Sequence, residues 1–82
     1  MSKARTKDER FVLSLYEEAS KSGDVHVHLD RYYVGKLAGL QPKAVNTICN
    51  LLLQANFIKK GKNDDIFLTK NGEDLALRIM SE

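Results

Sequence analysis

The sequence predicts a small, mostly helical α+β domain in the order helix-strand-helix-helix-strand-strand-helix. Apolar residues recur at helical spacing near 7–22, 31–38, 42–55 and 70–80. Runs with strand character lie at 24–29, 57–60 and 65–69. Glycine, proline or asparagine stands at most of the junctions between them.

Residues 1–6 carry Lys3 and Arg5 with no apolar anchor and read as a flexible basic arm, ahead of one domain over 7–82. Thr6-Lys7-Asp8-Glu9 matches a capping box, with Thr6 as N-cap and Glu9 three residues on. Phe11, Val12, Leu15, Tyr16 and Ala19 then follow at helical spacing up to Gly23, a left-handed stop. This first helix reads as core-forming support.

Asp24 to Leu29 alternates apolar and polar, which predicts a short strand with His26 and His28 on one face. Two histidines two apart could ligate a metal, but no third ligand accompanies them, so no metal site is expected. Asp30 is a good N-cap for a helix from Arg31 to Ala38 burying Tyr33, Val34, Leu37 and Ala38. Gly35 inside it costs on the order of 1 kcal/mol relative to alanine and suggests a close helix–helix approach. Gly39 ends the helix, and Gln41-Pro42 opens the next with proline at its permitted first turn. Two short helices joined by a tight glycine turn make a helix-turn-helix.

The helix at 42–55 is two-faced. Val45, Ile48, Cys49, Leu51, Leu52 and Ala55 fall on one arc, and Lys43, Asn46, Thr47, Asn50 and Gln54 on the other. The polar arc has amides, a hydroxyl and a lysine but no carboxylate. Amide side chains both donate to and accept from base edges. Asn56 suits a left-handed helix end, and Gly61-Lys62-Asn63-Asp64 joins strands at 57–60 and 65–69 as a hairpin. Thr69 caps a last helix, about 70–80, expected to bury Leu75, Ala76, Ile79 and Met80.

The charge distribution supports the same reading. Residues 31–63 hold six basic side chains, Arg31, Lys36, Lys43, Lys59, Lys60 and Lys62, and no Asp or Glu. Acidic groups outnumber basic ones on both flanks, so the formal net charge of +2 hides a basic middle third. Such a band is the footprint of a phosphate-binding surface.

The stretch from Leu37-Ala38-Gly39-Leu40-Gln41-Pro42 through Ala55-Asn56-Phe57-Ile58, with Phe67-Leu68-Thr69-Lys70-Asn71-Gly72, resembles a winged helix-turn-helix of the MarR-like superfamily of regulators. The resemblance covers about residues 30–76. It departs from the pattern in Asn56, where glycine is usual, in a short hairpin, and in Asp64-Asp65 near the hairpin tip. It implies sequence-specific binding of double-stranded DNA by a transcriptional regulator. The 42–55 helix would read the major groove, and the hairpin at 57–69, the wing, would touch backbone or minor groove. Carried onto this chain, Asn46, Thr47 and Asn50 would contact bases. Arg31, Lys36, Gln41, Lys43, Lys60 and Lys62 would contact the DNA backbone.

One monomer offers about four to six phosphate contacts, which is weak, so a homodimer on two half-sites is expected. Leu13 and Tyr16 in the first helix, with Leu77 and Met80 in the last, are the apolar surplus expected to form it. The competing use of the fold is a protein–protein interaction module docking through Leu53 and Phe67, with the 43–50 face idle. Enzymatic readings lack support: the chain has no glycine-rich phosphate loop and no triad in a supporting context. No cofactor is expected. A single cysteine, Cys49, and no apolar run of membrane-spanning or signal type lead to a cytoplasmic expectation. The operator and any small-molecule effector are not legible.

Overall fold

The computed structural model describes residues 5–82; of the expected basic arm, residues 1–4 lie outside the described residues. The elements are α1 (Lys7–Lys21), β1 (Leu29–Asp30), α2 (Arg31–Leu37), α3 (Pro42–Gln54), β2 (Ile58–Lys60), β3 (Asp65–Leu68) and α4 (Lys70–Met80). β3 is the central strand of a three-stranded antiparallel sheet, ordered β1-β3-β2. Leu29 pairs with Ile66, and Ile58 with Leu68. The element order matches the sequence expectation.

Local chemistry sets the helix starts. Thr6 accepts from the Glu9 amide while the Glu9 carboxylate accepts from the Thr6 amide, closing the capping box. Asp30 accepts from the amides of Tyr32 and Tyr33. Asn56 takes the left-handed conformation expected after α3, with φ 64°. Arg5 donates from its guanidinium to the Ile79 carbonyl at 3.1 Å, so the start of α1 is tied to the end of α4.

The core joins Phe11, Val12 and Leu15 of α1 to Val34, then to Val45, Ile48, Cys49 and Leu52 of α3. Ile58, Ile66 and Leu68 from the sheet and Ala76 and Ile79 from α4 complete it. Gly35 and Gly72 are close-approach positions. A Cβ on Gly35 would collide with the Val45 side chain, and one on Gly72 with the Phe57 carbonyl. The Leu-Thr-x-x-Gly run therefore has a geometric cause. Thr69 caps the Gly72 amide, donates its own hydroxyl to the Asn56 carbonyl at 2.6 Å, and gives its amide to the Phe57 carbonyl. Only a residue without a side chain lets α4 begin there.

Several expectations are corrected. The alternating run 24–29 is not a strand along its length; β1 is only Leu29–Asp30. The Asp24 carboxylate and carbonyl accept from the amides of His26 and Val27, and the segment coils into turns instead. His26 and His28 are accordingly committed to the rest of the fold. His26 Nδ1 donates to the Leu68 carbonyl at 2.7 Å, and the His28 ring stacks on Phe67 at 4.4 Å. Tyr33 and Leu37, expected in the core, are exposed, because α2 turns Arg31, Val34 and Gly35 inward. Leu51 and Met80 are exposed as well, and so is Ala55.

The Gly35–Val45 contact yields a sign-reversing prediction. Gly35→Ala should cost about 1–3 kcal/mol in urea unfolding, although the same change at an open helix position is stabilising. In a Val45→Ala background the cost should vanish or reverse.

Candidate nucleic-acid interface

Helix α3 is held by its buried side. Val45, Ile48, Cys49 and Leu52 are all buried, and their i, i+3, i+4, i+7 spacing fixes which residues face outward. Lys43, Asn46, Thr47, Asn50 and Gln54 are all exposed, so the structure places the predicted reading residues together on one open face. Leu51 joins them at 51% exposure. Its angle lies at the edge of the buried set, and no neighbouring element covers that edge.

These side chains are not equally free. The Tyr32 hydroxyl donates to Asn46 Oδ1 at 3.0 Å, bridging the first turn of α2 to the first half of α3. The Thr47 hydroxyl donates to the Lys43 carbonyl at 3.2 Å, one turn back in its own helix, and keeps only acceptor capacity for a ligand. Gln41 is the N-cap of α3 but makes no side-chain cap bond, which leaves its amide available. A groove of about 750 Å³ runs between α2 and the start of α3, and Tyr32, Lys36 and Gln41 are among the residues lining it. The structure thus brings Lys36 and Gln41, five residues apart across the turn, to one concavity.

Arg31 departs from expectation. It is 7% exposed, and both its amide and its Nε donate to the Asp64 carbonyl, at 3.1 and 3.2 Å. Its place is beneath the wing turn and not on the open surface. In the wing, Lys59, Lys60 and Lys62 are exposed, and Asn63 adopts φ 54° to complete the turn. Phe67 and Leu53, the docking pair of the interaction-module reading, are only half-buried. Leu53 packs on the core, and Phe67 is covered on one face by His28.

Of the surplus apolar residues, Leu13 and Tyr16 are half-buried against the core, while Leu77 and Met80 are 45% and 49% exposed on α4. Among the described residues no cluster of three or more His, Cys, Asp or Glu side chains could hold a metal. No helix among them is long and apolar enough to cross a membrane. Tyr32 and Leu51 are the members of the surface that sequence reasoning missed. The 3.6-residue period of α2 put a tyrosine beside an asparagine fourteen positions on, which no local pattern reveals.

The arrangement of three helices, a turn at Gly39, an outward α3 and a following hairpin defines the fold. The fold is a winged helix. The MarR family protein Rv2887 of Mycobacterium tuberculosis superposes with a TM-score of 0.68 at 22% identity, over 94% of this chain and 53% of that one. Rv1404 of the same organism gives 0.69 at 20% identity, over 94% and 51%. This chain thus spans about half the length of either neighbour, and the likeness is one of fold. No protein-family model and no curated relative matches the sequence.

Beneath the winged helix's open face, Cys49 is sealed. Burial pushes its thiol up to about 11, against a smaller opposing pull from Arg31. A folded value above the unfolded 9.0 contributes stability that is complete below pH 9 and is lost as pH rises toward 11. Alkaline unfolding titrations should therefore show up to roughly 2–3 kcal/mol of extra loss in wild type relative to Cys49→Ala across that window.

Proposed function

We propose that this winged helix binds double-stranded DNA sequence-specifically as a cytoplasmic transcriptional regulator, with α3 in the major groove and the β2–β3 wing on the backbone or minor groove. The observation that carries the reading is the outward face of α3. It displays Lys43, Asn46, Thr47, Asn50 and Gln54 without a carboxylate, inside an acid-free span from residue 31 to residue 63. Solvated helix faces ordinarily mix acidic with basic side chains; a face that meets phosphate gains by lacking the acidic ones.

In this reading Asn46, Thr47 and Asn50 contact base edges, and Leu51 adds an apolar contact of the kind a thymine methyl accepts. Lys36, Gln41, Lys43, Lys60 and Lys62 contact phosphates and set register. Arg31 is withdrawn from the backbone set and fastens the wing turn. Two copies pair through the α1–α4 side, by Leu13, Tyr16, Leu77 and Met80, to occupy half-sites about one helical turn apart. The interaction-module reading is weakened because its docking pair is partly occupied within the fold.

Fluorescence titration with duplexes recovered by selection, at two salt concentrations, tests the whole assignment. Lys60→Ala/Lys62→Ala should weaken binding to every sequence and flatten the log–log salt slope by roughly 2. Asn46→Ala/Asn50→Ala should cost about 1–3 kcal/mol on the selected site and little elsewhere. Leu77→Glu/Met80→Glu should convert two-site binding into weak single-site binding. Absence of salt-dependent binding by wild type at low salt would sink the proposal.

A further inference from the structure

The contact between Tyr32 and Asn46 narrows what α3 can recognise. Resting on the proposal that α3 reads DNA, we infer that Tyr32 is a positioning residue. It fixes the Asn46 amide so that the Nδ2 hydrogens are offered outward, to a purine N7 acceptor in the major groove.

An asparagine amide is by itself ambivalent: half a turn about χ2 exchanges a donor for an acceptor, and the side chain then tolerates either kind of base edge. Here the contact with Tyr32 selects one orientation, because a phenol is a better hydrogen-bond donor than acceptor. The phenol hydroxyl spends its proton on Asn46 Oδ1 at 3.0 Å, which assigns the carbonyl end of the amide to Tyr32 and leaves the NH2 end for a ligand. The phenol is itself well placed to enforce this. Its residue sits in the first turn of α2, with its backbone amide held by Asp30 at 2.8 Å and its ring packed against the core. The α2–α3 spacing cannot drift, because Val45, one residue before Asn46, is seated against Gly35. Both purines present N7 as an acceptor in the major groove and thymine presents O4, whereas cytosine presents only a donor there. A fixed donor at position 46 therefore disfavours cytosine at one step of the site, and where that step is a purine it takes the N7 acceptor.

The test uses a duplex recovered by selection with the wild-type protein, in which each purine is replaced in turn by its 7-deaza analogue, lacking only the N7 acceptor. Wild type should lose about 3- to 10-fold in affinity at one purine. Asn46→Ala should be insensitive at that purine. Tyr32→Phe should lose most of the sensitivity and bind cytosine there as well, while its salt slope and melting temperature stay those of wild type. A merely structural tyrosine would lower stability without changing which base is preferred. Asn46→Asp provides a second line: it can still accept from Tyr32 but has no donor, so its 7-deaza sensitivity should be absent even though its overall affinity falls. Full sensitivity in Tyr32→Phe, with wild type binding normally, overturns the positioning role and leaves DNA reading intact. Sensitivity surviving in Asn46→Ala or Asn46→Asp, or found at no purine, overturns the N7 contact. Failure of wild type to bind any duplex at low salt overturns both this inference and the reading beneath it.

Discussion

The seating of Val45 against Gly35 is the contact on which the rest of this winged helix depends. It brings α2 and α3 closer than a side chain at position 35 would permit, and it sets the rotation of α3 about its own axis. With Val45, Ile48, Cys49 and Leu52 pointing into the core, the remaining positions of α3 have nowhere to go but outward. The exposed face of α3 is thus a consequence of packing. Nothing on that face needs to stabilise the protein, which frees it to carry amides and a lysine.

A second set of constraints holds the wing relative to that helix. Asp64 in the wing turn receives two hydrogen bonds from Arg31, and β3 is held at its other end by His26 through the Leu68 carbonyl. Thr69 ties the end of α3 to the start of α4 through Asn56. The wing is short, yet it is braced from α2, from the 24–28 turns and from α4. A braced wing presents Lys60 and Lys62 at a fixed offset from α3, which is what a register-setting phosphate contact requires. The acidic side chain at position 64 stands beside these lysines, so the wing's share of any electrostatic attraction is modest, and the larger share falls to Lys36 and Lys43.

Much of this fold is legible in the sequence because it is local. Thr6, Asp30 and Thr69 announce helix starts by side-chain capping chemistry; Asn56 announces a helix end by its tolerance of left-handed backbone; Pro42 marks a first turn. Periodicity places Asn46, Thr47 and Asn50 on one face. It does not decide how much of each apolar arc a neighbour will cover, so Tyr33, Leu37, Leu51 and Met80 fit an inward arc and yet lie outside. Alternation at 24–29 is real but is overridden by the turn chemistry of Asp24. The remaining departures are long-range. Arg31 reaching Asp64, and Tyr32 reaching Asn46, join residues 33 and 14 positions apart, and neither partner carries a local sign of the other.

The outward face of α3, and not the α1–α4 side, is proposed to meet DNA. Amide and side-chain chemical-shift mapping by NMR, on addition of a selected duplex at low salt, addresses it most directly. The largest changes are expected at Lys43, Asn46, Thr47 and Asn50, smaller ones at Lys60 and Lys62, and none beyond noise at Leu13 or Leu77. Changes confined to α1 and α4, with residues 43–50 silent, would contradict it.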